Sequence, residues 1–475
     1  MEQPLTQRLG LSPCEVRLVG GQHRLRQGEL VRGDQGEPEL RSEYMRSSPP
    51  SREGDRAEVA GCKTVPRRPT NEVSHTMSTQ RDLTVQVIGH EASRTGSPKV
   101  LRSLLNWLHS ETEWTIDVAL LRGGPLCIDY AASVRTLYNL NYYGAKWRIS
   151  KPEEVLRLLR LDAAMLRARS RRLDRHRVIV RPETDVVFVN SASSLEGLRT
   201  GTTTPIVLYL HELAYTVNQS LPGPAAALLT ELPVCYIAAS QAVADFLTTS
   251  KGIAAERITV VNAFVDRQEP PTEAARSDGR HQAGVQDGEK FVLGCGTPAW
   301  HKGLDLFLQA AIVLRHLNDN SQIRWVWLGS GAADEEERFR QEVDKAGMQG
   351  VVKLQAGVAD PAPFFAACDV FVLSSREEAF GLVGLEAAQV GKPIVCFDGS
   401  GGMPHFVRQG AGVVVPYLDT YALGSAVGRL LANPDEAVAL GRRGQQLVWE
   451  QHDPAEACRR IQEVLLTAAR RPTWG

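Results

Sequence analysis

The sequence predicts an α/β protein of two Rossmann-like domains with a cleft between them, preceded by a disordered N-terminal extension. Three observations carry this expectation. Short apolar runs alternate with helix-like segments from residue 84 to residue 261. The alternation stops over 266–289 and restarts at 291. Residues 1–80 show no apolar period at all. Nearly continuous apolar strands suit a parallel sheet covered by helices on both faces. Two such halves face each other across a cleft, and ligands of these sheets bind outside the carboxyl ends of the strands.

Residues 1–80 are rich in Arg, Glu, Gly, Ser and Pro and include the loop run Ser47-Ser48-Pro49-Pro50-Ser51. Such a segment buries too little apolar surface to offset chain entropy, so it is expected to be disordered. Met77 immediately precedes the first strand. Residues 1–76 are therefore either a genuine extension or a stretch upstream of a start at Met77.

The first domain is expected over 81–265, with strands at 84–89, 116–121, 186–190, 206–210, 234–239 and 258–261. A helix over 99–109 follows from the broad apolar face of Val100, Leu101, Leu104, Leu105 and Leu108. Between Arg157 and Arg181 nine arginines stand against only Asp162 and Asp174. Leu156, Leu159, Ala163 and Leu166 share one helical face there. The segment reads as a solvated helix face, with docking on anionic lipid as the alternative.

Residues 266–289 hold Pro270-Pro271, several charges, Gly279, Gly284 and Gly288, and are expected to be a linker. The second domain follows over 290–453. Its strands are expected at 291–294, 325–329, 351–354, 370–374 and 393–397, and its helices near 303–316, 335–346 and 382–390. Residues 454–475 close the chain with a helix over 454–469 that packs back across the linker.

Bulk properties exclude several classes. The chain has 475 residues, 43% of them apolar, and a formal net charge of −1. Nothing global points to a nucleic-acid partner. Eight cysteines lie scattered without a CxxC pair, so no zinc or redox motif is indicated and a reducing cytosol is expected. No apolar run approaches the roughly 20 residues needed to span a bilayer, and no signal-peptide pattern opens the chain. A soluble cytoplasmic protein is expected, with peripheral contact at the cytoplasmic face of the membrane left open.

The most informative segment is 368–397. Val370-Phe371-Val372-Leu373-Ser374-Ser375 reads as a buried strand, Arg376 to Gly381 as a turn, and Leu382 to Ala388 as the opening of a helix. A strand–turn–helix points free backbone N–H groups and the positive end of the helix dipole at the cleft, which favours a phosphate. Gly381 lets the backbone approach a ligand. Glu378 in the turn and Glu386 one turn into the helix suit hydroxyl groups, because an ionised carboxylate accepts several hydrogen bonds. A diphosphate flanked by two polyols is a sugar nucleotide.

Here Glu378-Ala379-Phe380-Gly381-Leu382-Val383-Gly384-Leu385-Glu386, followed by Gly391-Lys392-Pro393, resembles the paired-glutamate motif of retaining glycosyltransferases of family 4 (group 1). These have the GT-B fold. The resemblance covers roughly 83–470 and is strongest over 291–418. It implies transfer of a sugar from a nucleoside diphosphate to an acceptor hydroxyl with retained configuration, in cell-surface polysaccharide or glycolipid synthesis. Glu378 would hold sugar hydroxyls, Glu386 the ribose, and Phe380, Gly381 and Leu382 the donor. No metal site and no cofactor beyond the donor substrate are expected, and the acceptor is a glycan or lipid-linked.

Gly296-Thr297-Pro298-Ala299-Trp300-His301-Lys302-Gly303 is the second piece of the resemblance. It implies Lys302 as a ligand of the diphosphate, while Thr297 stands where an Arg is usual. Gly401-Gly402 is read as a loop whose amides approach a ligand, with His405 where a Glu is usual. In the first domain, Arg94-Thr95-Gly96-Ser97-Pro98 implies a loop reaching the donor phosphates or the acceptor. His211, after the strand 206–210, stands where the resemblance implies a catalytic histidine near the donor sugar and phosphate. Asn190 and Ser240 also end strands, Ser240 with a helix cap as the equal alternative. Rival readings are a sugar-nucleotide epimerase of the same fold and a non-catalytic sugar-nucleotide sensor.

Overall fold

The computed structural model describes residues 82–470, apart from 148–149, 159–160, 200 and 318–321. The expectation for 1–80 lies outside the described residues. A seven-stranded sheet is built from β1 (Thr84–Gly89), β2 (Thr115–Leu120), β3 (Thr136–Asn139), β4 (Val186–Asn190), β5 (Ile206–Leu210), β6 (Cys235–Ala238) and β7 (Ile258–Val260). Its order is β3-β2-β1-β4-β5-β6-β7, parallel throughout. A six-stranded parallel sheet follows: β8 (Lys290–Cys295), β9 (Ile323–Leu328), β10 (Val352–Gln355), β11 (Val370–Leu373), β12 (Ile394–Phe397) and β13 (Gly412–Val415). It runs β10-β9-β8-β11-β12-β13.

Strand order reverses between β1 and β4 in the first sheet and between β8 and β11 in the second. Crevices form at such switch points, because successive connections leave in opposite directions. Register places the ends of the central strands side by side, with Gly89 opposite both Leu120 and Asn190, and Asn190 opposite Tyr209. The loops leaving these strands are therefore gathered at one edge.

Both faces of each sheet are covered, which explains the continuous apolar strands. The helix Gly96–Glu111 buries Val100, Leu101, Leu104, Leu105 and Leu108 in the core of the first domain. The C-terminal helix Pro454–Ala469 joins that same core through Cys458, Ile461 and Leu465. The last helix thus returns to the first sheet.

Three local expectations differ from the structure. Residues 266–289 contain a helix, Glu273–Ala283. It starts where the Thr272 side chain accepts from the Ala275 N–H at 3.1 Å and ends at left-handed Gly284. Its residues bury little, but Gly279 is pressed against the Pro363 carbonyl of the helix Ala362–Ala367. β3 and β13 were not expected: both are four-residue strands at sheet edges, and most of their residues are only half-buried. The arginine-rich segment forms two helices, Lys151–Leu158 and Asp162–Leu173, instead of one face. Several of its arginines are tied internally: Arg172 to Glu153 at 2.6 Å, Arg177 to Asp174 at 2.7 Å, and Arg169 to the Lys146 carbonyl at 2.8 Å.

Candidate active site

A cavity of about 370 Å³ opens between the two sheets. Every part of its wall comes from the end of a strand or the segment after it: 94–99 after β1, His211 after β5, Ala239 after β6, Ala263 after β7, Cys295–Lys302 from the end of β8, 328–330 from the end of β9, 357–361 after β10 and 378–386 after β11. All nine site residues expected from the sequence line it: Gly96, His211, Thr297, Lys302, Glu378, Phe380, Gly381, Leu382 and Glu386.

The turn after β11 is held from three sides. Ser374 donates to the Gly303 carbonyl at 2.8 Å, which joins the Lys302 turn to the strand end. The Glu378 N–H donates to the Ser400 carbonyl at 2.7 Å. Gly381 caps the helix Leu382–Gln389 with φ of +92°. A Cβ there would stand 3.0 Å from Glu378 Cγ, so the backbone angle favours glycine and any side chain would also push on Glu378. The first turn of that helix, with amides that lack intrahelical acceptors, opens on the cavity.

Lys302 Nζ donates to Glu378, and Ser375 Oγ adds a contact to the same carboxylate at 3.4 Å. Glu386 is buried and accepts from Lys99 Nζ at 2.6 Å. This second pair crosses the cleft, since Lys99 belongs to the first helix of the other domain. Lys99 escaped the sequence reading. Its position four residues after the β1 loop was a signal; its partner, 287 residues away, was not visible.

His211 lies on the cavity wall as a neutral ring. Burial, with a smaller contribution from His90, pushes its pKa down to about 3. Asn190 Nδ2 donates to the Ser97 carbonyl at 3.0 Å, so its Oδ1 faces His211 Nε2 at 2.9 Å. Nε2 must then carry the proton, leaving Nδ1 as an acceptor. The ring also lies against Tyr209, with centroids 3.9 Å apart and planes tilted by 45°. His211 is thus no cation for a phosphate. Asn190 orients the histidine and anchors the first turn of the helix Gly96–Glu111.

The glycine pair of the third loop plays a different part from the one expected. A Cβ on Gly401, whose φ is +136°, would lie 1.7 Å from the Glu378 carbonyl oxygen. One on Gly402 would lie 2.6 Å from the Ala379 oxygen. The glycines admit the backbone of the Glu378 turn rather than a ligand. His405 is exposed and lines a second recess of about 400 Å³.

Two further residues tie the domains at the turn and were missed or underrated. The Glu377 carboxylate accepts the Tyr215 N–H at 2.8 Å, at the start of the helix Ala214–Ser220. Ser240 caps the helix Gln241–Asp245 and also donates to the Ala379 carbonyl at 2.6 Å. Among the described residues no group of His, Cys, Asp or Glu side chains is arranged to hold a metal ion, and no helix is long and apolar enough to cross a membrane.

Two parallel-sheet domains facing across a cleft, with the carboxylates and helix start on the C-terminal wall, define the GT-B architecture. Residues 276–447 match the family described as "Glycosyl transferases group 1". Among curated relatives, the D-inositol 3-phosphate glycosyltransferase of Pseudarthrobacter chlorophenolicus is 31% identical over 222 residues, covering 43% of this chain and 53% of that protein. The Catenulispora acidiphila protein named D-inositol 3-phosphate glycosyltransferase 1 is 29% identical, covering 50% and 60%. The chain thus spans about half the length of the curated relatives it matches. Of solved structures, Anabaena HepE in complex with UDP-glucose superposes with a TM-score of 0.62 at 19% identity, covering 81% of this chain and all of HepE. WaaG, a glycosyltransferase involved in lipopolysaccharide biosynthesis, gives 0.58 at 14% identity, with 81% and 99% covered. These likenesses establish the fold.

Proposed function

We propose that this chain is a glycosyltransferase that moves a sugar from a nucleoside-diphosphate sugar to an acceptor hydroxyl with retention of anomeric configuration. The observation that carries the reading is the gathering of Glu378, Glu386, Lys302 and the first turn of Leu382–Gln389 on one cavity. The family match over 276–447 supports it. Glu378 holds sugar hydroxyls and Glu386 holds ribose hydroxyls. Lys302 and the amides of Ala379–Leu382 stabilise the charge that grows on the departing diphosphate, each donor contributing on the order of 3 kcal/mol. The acceptor attacks on the face the diphosphate leaves, and the leaving phosphate takes its proton.

The acceptor is a glycan or a lipid-linked polyol, met at the cytoplasmic face of a membrane. Exposed Leu158, Leu161 and Ile179, with exposed Arg171 and Arg175 in the same stretch of sequence, support peripheral contact with anionic lipid. The relatives' name makes inositol 3-phosphate an acceptor to include in any panel.

The test begins with thermal shifts against UDP, GDP and ADP sugars. A ligand at about 100 times its dissociation constant stabilises by roughly 2.7 kcal/mol. Turnover with and without acceptor then separates transfer from epimerisation and from binding alone, and NMR of the product's anomeric proton reports retention. A folded protein that none of these donors stabilises would overturn the reading.

A further inference from the structure

Lys99 is the residue whose surroundings the reaction scheme above leaves unused. It stands at the end of the first turn of Gly96–Glu111, a 16-residue helix whose cap residue Thr95 and opening residues Gly96 and Ser97 also line the cavity. Its ammonium reaches across to the other domain and sits 2.6 Å from buried Glu386. Lys302 makes the matching contact with Glu378 on the other side of the same cavity. Each carboxylate assigned to the donor is therefore neutralised by one lysine, and the two lysines come from opposite domains.

This arrangement has a consequence for nucleotide uptake. Ribose hydroxyls that bind Glu386 need its oxygens as acceptors, and one of these oxygens now holds the Lys99 ammonium. An ammonium that loses its carboxylate inside a cleft needs another anion. The phosphate joined to that same ribose is the anion that arrives with it. The N-terminal end of the Lys99 helix adds its dipole in the same sense.

We propose that Lys99 is a second phosphate-binding cation of the donor site, parked on Glu386 and transferred to the ribose-proximal phosphate of a nucleoside diphosphate on binding. The inference rests on the donor-site reading and extends it to the N-terminal domain. It makes nucleotide binding a contact between the two domains, because the cation and the ribose acceptor lie on opposite walls.

The alternative role for Lys99 is a strut that merely positions or neutralises Glu386. A double-substitution cycle separates the two. Calorimetric titration of the full chain with UDP, GDP and ADP identifies the tightest binder. With that ligand, Lys99→Ala should weaken affinity about 10- to 100-fold, the scale of a hydrogen bond to a charged group, and Lys99→Arg should restore most of it. In the Glu386→Gln background the loss from Lys99→Ala should persist. Full affinity in Lys99→Ala, or a loss that vanishes in the Glu386→Gln background, overturns the proposal. Lys99→Gln keeps the aliphatic stem and gives the same readout should the alanine variant fold poorly. If wild-type chain binds none of the three diphosphates, the donor-site reading itself fails, which is a different result from a bound ligand indifferent to Lys99.

Discussion

The two walls of the cleft are built by different means. The carboxylate-bearing part of the C-terminal wall is one continuous piece of chain: β11, the Glu378 turn and the helix Leu382–Gln389, braced by the Lys302 turn. Its geometry is local, and its main contacts join residues within one domain. The N-terminal wall is assembled from separate pieces: Lys99 on the first helix and His211 after β5 line the cavity, with Asn190, the last residue of β4, bonded to His211 and Ser240, after β6, bonded to the Ala379 carbonyl. Its residues act on the C-terminal wall: Lys99 on Glu386, Ser240 on the Ala379 carbonyl. On the proposed function, one domain would hold the reacting groups while the other sets their charge and position.

If that division is right, the largest loss follows from Glu378. Glu378→Ala should reduce kcat/KM for the donor about 10³-fold, the scale of removing a preorganised polar contact at the reacting centre. Its melting temperature should stay within a few degrees of wild type, because the turn is held by backbone contacts. Near-wild-type turnover would remove the basis for the C-terminal assignment. Gly401→Ala comes next. A methyl group there meets the Glu378 carbonyl and also needs a backbone angle that alanine avoids. We expect about a 10²-fold loss of kcat/KM as the turn shifts. Gly399→Ala is the control, since a Cβ at Gly399 has nothing within 4 Å, although its φ of +66° costs some stability. Equal activity losses in the two variants would mean that strain, not the contact with Glu378, matters.

A third effect lies at the seam between the domains. Buried His452 donates from Nδ1 to the Ala263 carbonyl at 2.6 Å and packs on the rings of Phe380 and Phe406. Burial pushes its pKa down to about 4. A histidine whose folded pKa lies below its unfolded value contributes its full stability above about 6.5 and loses it as pH falls toward 4. The loss reaches about 2 kcal/mol by pH 5. Denaturant titrations at pH 7 and pH 5 should show it, and His452→Gln should flatten the difference. A slope unchanged by the substitution would assign the acid sensitivity to other groups.

This comparison also explains what could be read from the sequence. The two sheets were legible because strands buried on both faces leave continuous apolar runs. The C-terminal site was legible because its strand, turn and helix are adjacent in the chain. Lys99 was not, because its role depends on how two domains meet. Gly401 and Gly402 looked like a ligand loop because a glycine pair permits close approach without saying to what. The helix Glu273–Ala283 was hidden by polar composition, although Thr272 and Gly284 are start and stop signals that a stricter reading would use. β3 and β13 are short edge strands with little burial to mark them.

The smallest effect expected is at His211, and it tests the N-terminal wall most directly. A histidine that supplied a positive charge to a phosphate would give donor binding an acid-favoured limb near its ordinary pKa. This ring is held neutral by burial, with a pKa of about 3, and its Nε2 proton is committed to Asn190. Only Nδ1 remains, as an acceptor for a donor hydroxyl. His211→Ala should therefore cost no more than about tenfold in kcat/KM, one hydrogen bond's worth. The factor should be the same at pH 5.5 and pH 8. A factor that grows as pH falls through 6.5 would show that the ring becomes charged when the donor binds, and would move His211 from the positioning wall to the reacting one.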